Sequence, residues 1–139
     1  MRQRIMGKLA VIFTVAAFSV LSAMPAQAAK IANDVAVFAA LDKVTARVSK
    51  LQVNIDETTI FGALKITPRA CYTRPPTERP RTSVFVEIDE IQLDGKEKRI
   101  FTGWMFAESP GVHGVEHPVF DVWLTSCRTP DGEVSAESR

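Results

Sequence analysis

Residues 83–106 read SVFVEIDEIQLDGKEKRIFTGWMF, and this stretch decides the architecture. Val84, Val86 and Ile88 alternate with Phe85, Glu87 and Asp89, the period of two that turns one face of a strand to a core and the other to water. Asp94-Gly95 interrupts the alternation. That dipeptide accepts the positive φ angles of a tight reversal and is the strongest short-range hairpin signal in the chain. The spacing predicts a strand over 83–93 joined to an antiparallel strand over 98–106.

The same period recurs on both sides. Val44, Ala46 and Val48 share one parity and Leu51, Val53 and Ile55 the other, so the register flips around Ser49-Lys50, as a bulge or turn would make it. Asp56-Glu57 turns the chain into a strand from Thr58 to Thr67, with Leu64 and Ile66 inward. A last strand, Val119 to Cys127, sets Phe120, Val122 and Leu124 on one face and Asp121, Trp123 and Thr125 on the other. Residues 34–48 also fit a helix, with Val37, Phe38, Leu41, Val44 and Val48 as its stripe and Asn33 or Asp34 as its cap, so helix and strand both stay open there. The expectation is a mainly β fold: a small antiparallel β-sandwich or barrel with one interior disulfide, preceded by a helical signal peptide.

The signal peptide is read from Arg2, Arg4 and Lys8, the apolar run Leu9–Leu21, and the small-x-small site Ala26-Gln27-Ala28. The run is shorter than the about 20 residues a spanning helix needs, so cleavage and release into the periplasm are expected, with no transmembrane anchor afterwards. That divides the chain into signal peptide 1–28, a single β domain 29–128 and a flexible C-terminal tail 129–139. Without Arg2, Arg4 and Lys8, the 17 Lys plus Arg fall to 14 against 16 acidic residues, a net of −2. A nucleic-acid binder would carry a strongly basic footprint, so nucleic acid is not an expected partner.

Cys71 and Cys127 are the two cysteines. In an oxidising compartment they form one disulfide, closing a 57-residue loop that stabilises by about 4 kcal/mol in the chain-entropy model. A redox pair would sit closer, as C-x-x-C.

Two stretches break the strand pattern. TRPPTERPRT, residues 73–82, carries prolines that cannot join a central ladder and is read as a crossover between sheets, or else as a polyproline surface for an envelope partner. Lys65, Arg69, Arg74, Arg79 and Arg81 give this region a positive bias suited to anionic glycan or lipid head groups. The second stretch holds HGVEH, residues 113–117, which spells the zinc-peptidase motif H-x-x-E-H. The motif works on a helix that puts both imidazoles one turn apart. Ser109-Pro110-Gly111 before it, Gly114 inside it and Pro118 after it oppose that helix, so a surface loop between two strands is expected, with no metal and no cofactor. Glu108, Glu116 and Asp121 offer carboxylates at no readable pairing distance, and no Gly-rich phosphate loop, G-x-S-x-G or Cys/His nucleophile pattern occurs. A Trp in a strand is usually core, which is the expectation for Trp104, whereas Trp123 has the parity opposite to Phe120, Val122 and Leu124 and is left against solvent, a second layer or a ligand.

The runs LDKVTARV, FGALKITPRACY, FVEIDE, RIFTGWMFAESPG and HGVEHPVFDVWLTSC together resemble the alphaproteobacterial exported proteins catalogued as domain of unknown function 2155, over roughly residues 35 to 128. The resemblance implies a small exported envelope protein with no assigned catalytic activity, and it carries over no functional residues. Pro68 departs from the family's pattern and places its strand at a sheet edge or a bulge; a bulge would also turn Cys71 toward the core. The leading expectation is an exported periplasmic accessory or binding protein without catalytic activity. It would engage an envelope protein or an anionic glycan or lipid surface through the 107–118 loop and the Trp123 face, with Trp104, His113, Glu116, His117 and Trp123 as the candidate binding surface. The rivals are a metal- or carboxylate-dependent hydrolase centred on residues 113–117, and a purely structural envelope module.

Overall fold

The strands are β1 (Ile31–Asn33), β2 (Val35–Asp42), β3 (Arg47–Asn54), β4 (Thr59–Phe61), β5 (Leu64–Thr73), β6 (Ser83–Ile91), β7 (Glu97–Phe106), β8 (Val115–Glu116) and β9 (Phe120–Arg128), with a single-turn helix α1 (Pro110–His113) between β7 and β8. The structure is a computed structural model that describes residues 29–129; the expected signal peptide and residues 130–139 of the expected tail lie outside the described residues. One sheet runs β1-β5-β6-β7 with β4 also paired to β5, and the other runs β3-β2-β9-β8. Every pairing is antiparallel. The two sheets enclose one core in which Phe38, Leu64, Ile66, Val86, Ile88 and Val122 are fully buried. The architecture is the sandwich expected from the alternating pattern.

The β6–β7 hairpin forms as Asp94-Gly95 predicts. Gly95 takes φ +84°, and its N–H donates to the Gln92 carbonyl at 2.9 Å. Val84, Val86 and Ile88 point inward, as read from residues 83–106.

Several local expectations are corrected. Between the helix and the strand left open over 34–48 the structure decides for strand: residues 35–42 and 47–54 are β2 and β3. Val44 and Val48, which would have belonged to the helical stripe, are 79% and 62% exposed, whereas the alternating Ala36, Phe38 and Ala40 are fully buried. The reversal lies at residues 43–46, where the Asp42 carboxylate accepts from the N–H groups of Val44 and Thr45 at 2.9 and 3.2 Å. β3 then pairs with β2 from Arg47 to Asn54 without a slip, so nothing flips at Ser49-Lys50. The parity change there arises because Val44 and Val48 are not core residues. The strand expected over 58–67 is divided by Gly62, at φ +57°, into the β4–β5 hairpin. Residues 74–82 join β5 to β6 within one sheet and are not a crossover. The chain changes sheet between β1 and β2, between β3 and β4, and between β7 and β8; the last crossing holds α1, so 107–118 is more than a plain loop and contains one helical turn and a short strand paired to β9.

Pro68 lies at a bulge, one of the two placements expected of a proline in this strand. Pro68 pairs with Val86 and Ala70 with Phe85, leaving Arg69 as the extra residue. The Pro68 carbonyl accepts from the Asp56 N–H at 2.8 Å, so the edge of Pro68 that lacks a donor faces the gap between β4 and β1, where no ladder bond is lost. Cys71, on β5, and Cys127, on β9, form the disulfide with their Cα atoms 5.9 Å apart, and each is 1% exposed. The bridge therefore joins the two sheets through the core.

Candidate functional site: an aromatic and cationic groove

The outer face of the first sheet divides into two halves. In one half, charged side chains pair with one another: Arg69 with Glu87 and with Asp56 of the turn before β4, Arg99 with Glu87 and Asp89, and Lys65 on β5 with Glu97 on β7 across the intervening β6. Hydrogen bonds to Asp56 and then Glu87 hold the Arg69 guanidinium above its ordinary value, and the bond to Asp89 does the same for Arg99. Both cations are permanently charged and their fields are locally compensated.

The other half is aromatic. Tyr72 lies between the inward Cys71 and Thr73, Phe85 between the inward Val84 and Val86, and Trp104 beside the inward Met105, so strand alternation turns all three rings outward. Registration supplies their meeting: Phe85 pairs with Trp104, while Tyr72 and Phe106 both pair with Ser83. The Tyr72 and Trp104 rings stack at 6.0 Å and 28°, and the Phe85 ring meets Trp104 edge-on at 5.4 Å. Trp104 stays 40% exposed, which corrects the expectation that it is core. Lys30 lies 5.6 Å above the Tyr72 ring and Arg81 5.0 Å above the Phe106 ring, within cation–π range. These side chains, with Arg74, line a groove of about 290 Å³. Among the described residues no carboxylate reaches ion-pair distance of Lys30 or Arg81. Arg74 has Glu78 at 3.8 Å, and the nearby Glu108 carboxylate accepts from the Thr82 N–H at 2.7 Å.

The five residues expected to form one binding surface do not come together. The His113 ring packs edge-on against Phe106 at 5.0 Å, which places it beside the aromatic groove in an adjoining hollow with Arg79, Arg81 and Glu108. Glu116 and Trp123 line a separate groove of about 460 Å³ beside Pro110, Gly114 and Asp121, on the outer face of the second sheet. Trp123 is half-buried there, so the two tryptophans stand on opposite faces of the sandwich. His117 belongs to neither groove. Its Nδ1 accepts from the Val119 N–H at 3.1 Å, so its Nε2 carries the proton and donates to the Glu90 carboxylate at 3.1 Å. Its ring stacks on Phe120 at 5.6 Å. The two imidazoles of HGVEH thus face different neighbours, and among the described residues no three or more His, Cys, Asp or Glu side chains gather as a metal-holding group.

Lys30, Tyr72 and Phe106, which line the groove, and Phe85, which packs edge-on against Trp104, are residues that sequence reasoning passed over. Phe85 carried a signal, an aromatic at the outward parity of the stretch that decides the fold. Tyr72 carried none, because its direction depends on the bulge at Arg69.

Fold and site define a disulfide-stapled β-sandwich with an exposed aromatic face. The chain belongs to the family described as uncharacterized protein conserved in bacteria, DUF2155, whose model matches residues 36–127. That span takes in both cysteines and Trp104 and stops short of Lys30. A protein of Rickettsia prowazekii (strain Madrid E), described as uncharacterized, is 26% identical over 88 residues, covering 63% of this chain and 57% of that protein. The chain thus spans just over half the length of the relative it matches. No solved structure matches it.

Proposed function

We propose that the protein is exported to the periplasm and serves there as a non-catalytic binding module of the cell envelope, with the Tyr72–Trp104 groove as its contact surface. One observation carries this reading: Trp104 is held in place by Tyr72 and Phe85 yet left open, beside Lys30 and Arg81, which have no carboxylate partner among the described residues, on a sheet where Lys65, Arg69 and Arg99 are paired. Exposed aromatic surface rimmed by polar groups is what interaction sites present. Export is supported by the N-terminal sequence pattern and by a buried disulfide, which persists in oxidising compartments. The separate directions of His113, Glu116 and His117 speak against the rival reading of a hydrolase centred on residues 113–117.

The test is fractionation followed by co-sedimentation. The expected result is a periplasmic protein that sediments with isolated envelope material, is released by salt, and loses retention in a Lys30→Gln/Arg81→Gln variant. A cytoplasmic protein, or one that never sediments with envelope material, refutes the proposal.

A further inference from the structure

We infer that the groove binds an acidic glycan strand, with a sugar ring lying on Trp104 and Tyr72 and its acid group held between Lys30, Arg74 and Arg81. This inference rests on the proposed envelope-binding role and names its ligand class. A pyranose ring has one face of C–H groups, whose slight positive charge suits the negative face of an aromatic ring. Phe85 meets Trp104 edge-on and Tyr72 stacks with it, so the platform is already ordered before a ligand arrives and little rotamer freedom is lost on binding. The groove volume of about 290 Å³ falls just below the roughly 300–1,000 Å³ of enclosed small-molecule sites, and it suits a short stretch of an extended chain.

Charge selects an acid. Lys30 and Arg81 have no ion-pair partner among the described residues, in contrast to the compensated Arg69 and Arg99 on the same face. Arg74 has Glu78 at 3.8 Å, and the Glu108 carboxylate, in the adjoining hollow with Arg81, is already engaged by the Thr82 N–H. Two other anionic partners fit less well. The cations lie alongside rings that line a concave surface, which a flat lipid headgroup layer cannot follow. A nucleic acid would need a broad basic field, whereas residues 29–139 carry 14 Lys plus Arg against 16 acidic residues. A glycan with spaced acid groups requires only the local cluster.

The test uses the full chain, expressed with its own N-terminus and purified in the form the cell produces. The probes are an oligogalacturonate, its fully methyl-esterified form, phosphatidylglycerol vesicles and an oligothymidylate. In a Trp123→Phe background the emission of Trp104 reports on the groove alone. The expected result is that oligogalacturonate changes this emission, with an affinity that falls as salt rises. Calorimetry should show binding weakened about tenfold in Trp104→Ala and several-fold in Lys30→Gln and Arg81→Gln. The methyl ester should bind as weakly as the cation variants. Circular dichroism and an intact disulfide establish that each variant is folded, and the two glutamine variants leave the aromatic platform whole. Equal binding of the ester, or unchanged binding by Trp104→Ala, overturns the inference. So does binding to vesicles or oligothymidylate in preference to the acidic saccharide. Co-sedimentation with envelope material without saccharide binding would overturn the ligand class alone, while loss of both would overturn the binding role as well.

Discussion

Arg69 and Thr125 occupy equivalent points of the two strands that the disulfide joins: each is the extra, unpaired residue of a β-bulge, and each precedes a bridged cysteine by two positions. On β5 the inward parity set by Leu64, Ile66 and Pro68 would leave Cys71 facing water; on β9 the parity of Val122 and Leu124 would do the same to Cys127. One inserted residue in each strand reverses the parity, and both sulfurs enter the core. The Arg69 side chain is released outward to Glu87 and Asp56, and the Thr125 hydroxyl donates to the Val37 carbonyl at 2.9 Å.

Deleting Arg69 should therefore prevent the bridge although both cysteines remain. Unreduced, denatured protein should take up two equivalents of alkylating reagent, while Arg69→Ala, which keeps the bulge, should take up none. A deletion variant with a complete bridge and native unfolding behaviour would refute this account of the bulge.

Replacing both Cys71 and Cys127 by Ala should lower the unfolding free energy by about 4 kcal/mol, the loop-closure value for 57 residues. Guanidinium titration of the variant against the oxidised protein measures it. The position of the bridge between sheets makes it a limit on sheet separation, so the variant should lose cooperativity first where β5 faces β9.

Gly62 and Gly95 should differ sharply in their tolerance of alanine. At Gly62 an added Cβ would lie 2.2 Å from the Phe120 ring, and the backbone is at φ +57°. Clash and strain together should cost about 2–4 kcal/mol. Gly95, at φ +84°, has nothing within 4 Å of an added Cβ, so strain alone should cost about 1 kcal/mol. Thermal unfolding of the two variants side by side decides it; equal losses would show that the Phe120 contact is unimportant.

His117 and Glu90 should behave as a structural pair. His117 sits beside β9 in the second sheet and Glu90 on β6 in the first, so their hydrogen bond links the layers. A double-mutant cycle with His117→Ala and Glu90→Gln should give a coupling of about 1 kcal/mol. Added zinc should leave the unfolding midpoint unchanged, because the two imidazoles of HGVEH pack against Phe106 and Phe120 separately. A stoichiometric zinc stabilisation lost in His117→Ala would reverse this reading.

What the sequence determined by itself was whatever depends on neighbours along the chain. Alternation over Val84–Ile88 placed those side chains, Asp94-Gly95 placed the hairpin, and two cysteines behind an N-terminal pattern expected to be a signal peptide implied the bridge. These rest on strand period, turn chemistry and composition, all of them local. Where local signals competed, reading along the chain faltered. Val44 and Val48 imitate a helical stripe because apolar surface residues are common, and the habits of its residue type point Trp104 to the core, whereas pairing with β6 turns it outward beside the inward Met105. The tertiary structure decided the rest. Tyr72 and Trp104 come from strands separated by β6, Gly62 is required by a ring on a distant strand, and His117 finds its partner in the opposite sheet. Such pairings follow from which strands become neighbours and where a bulge shifts their register, and neither is written into any short run of residues.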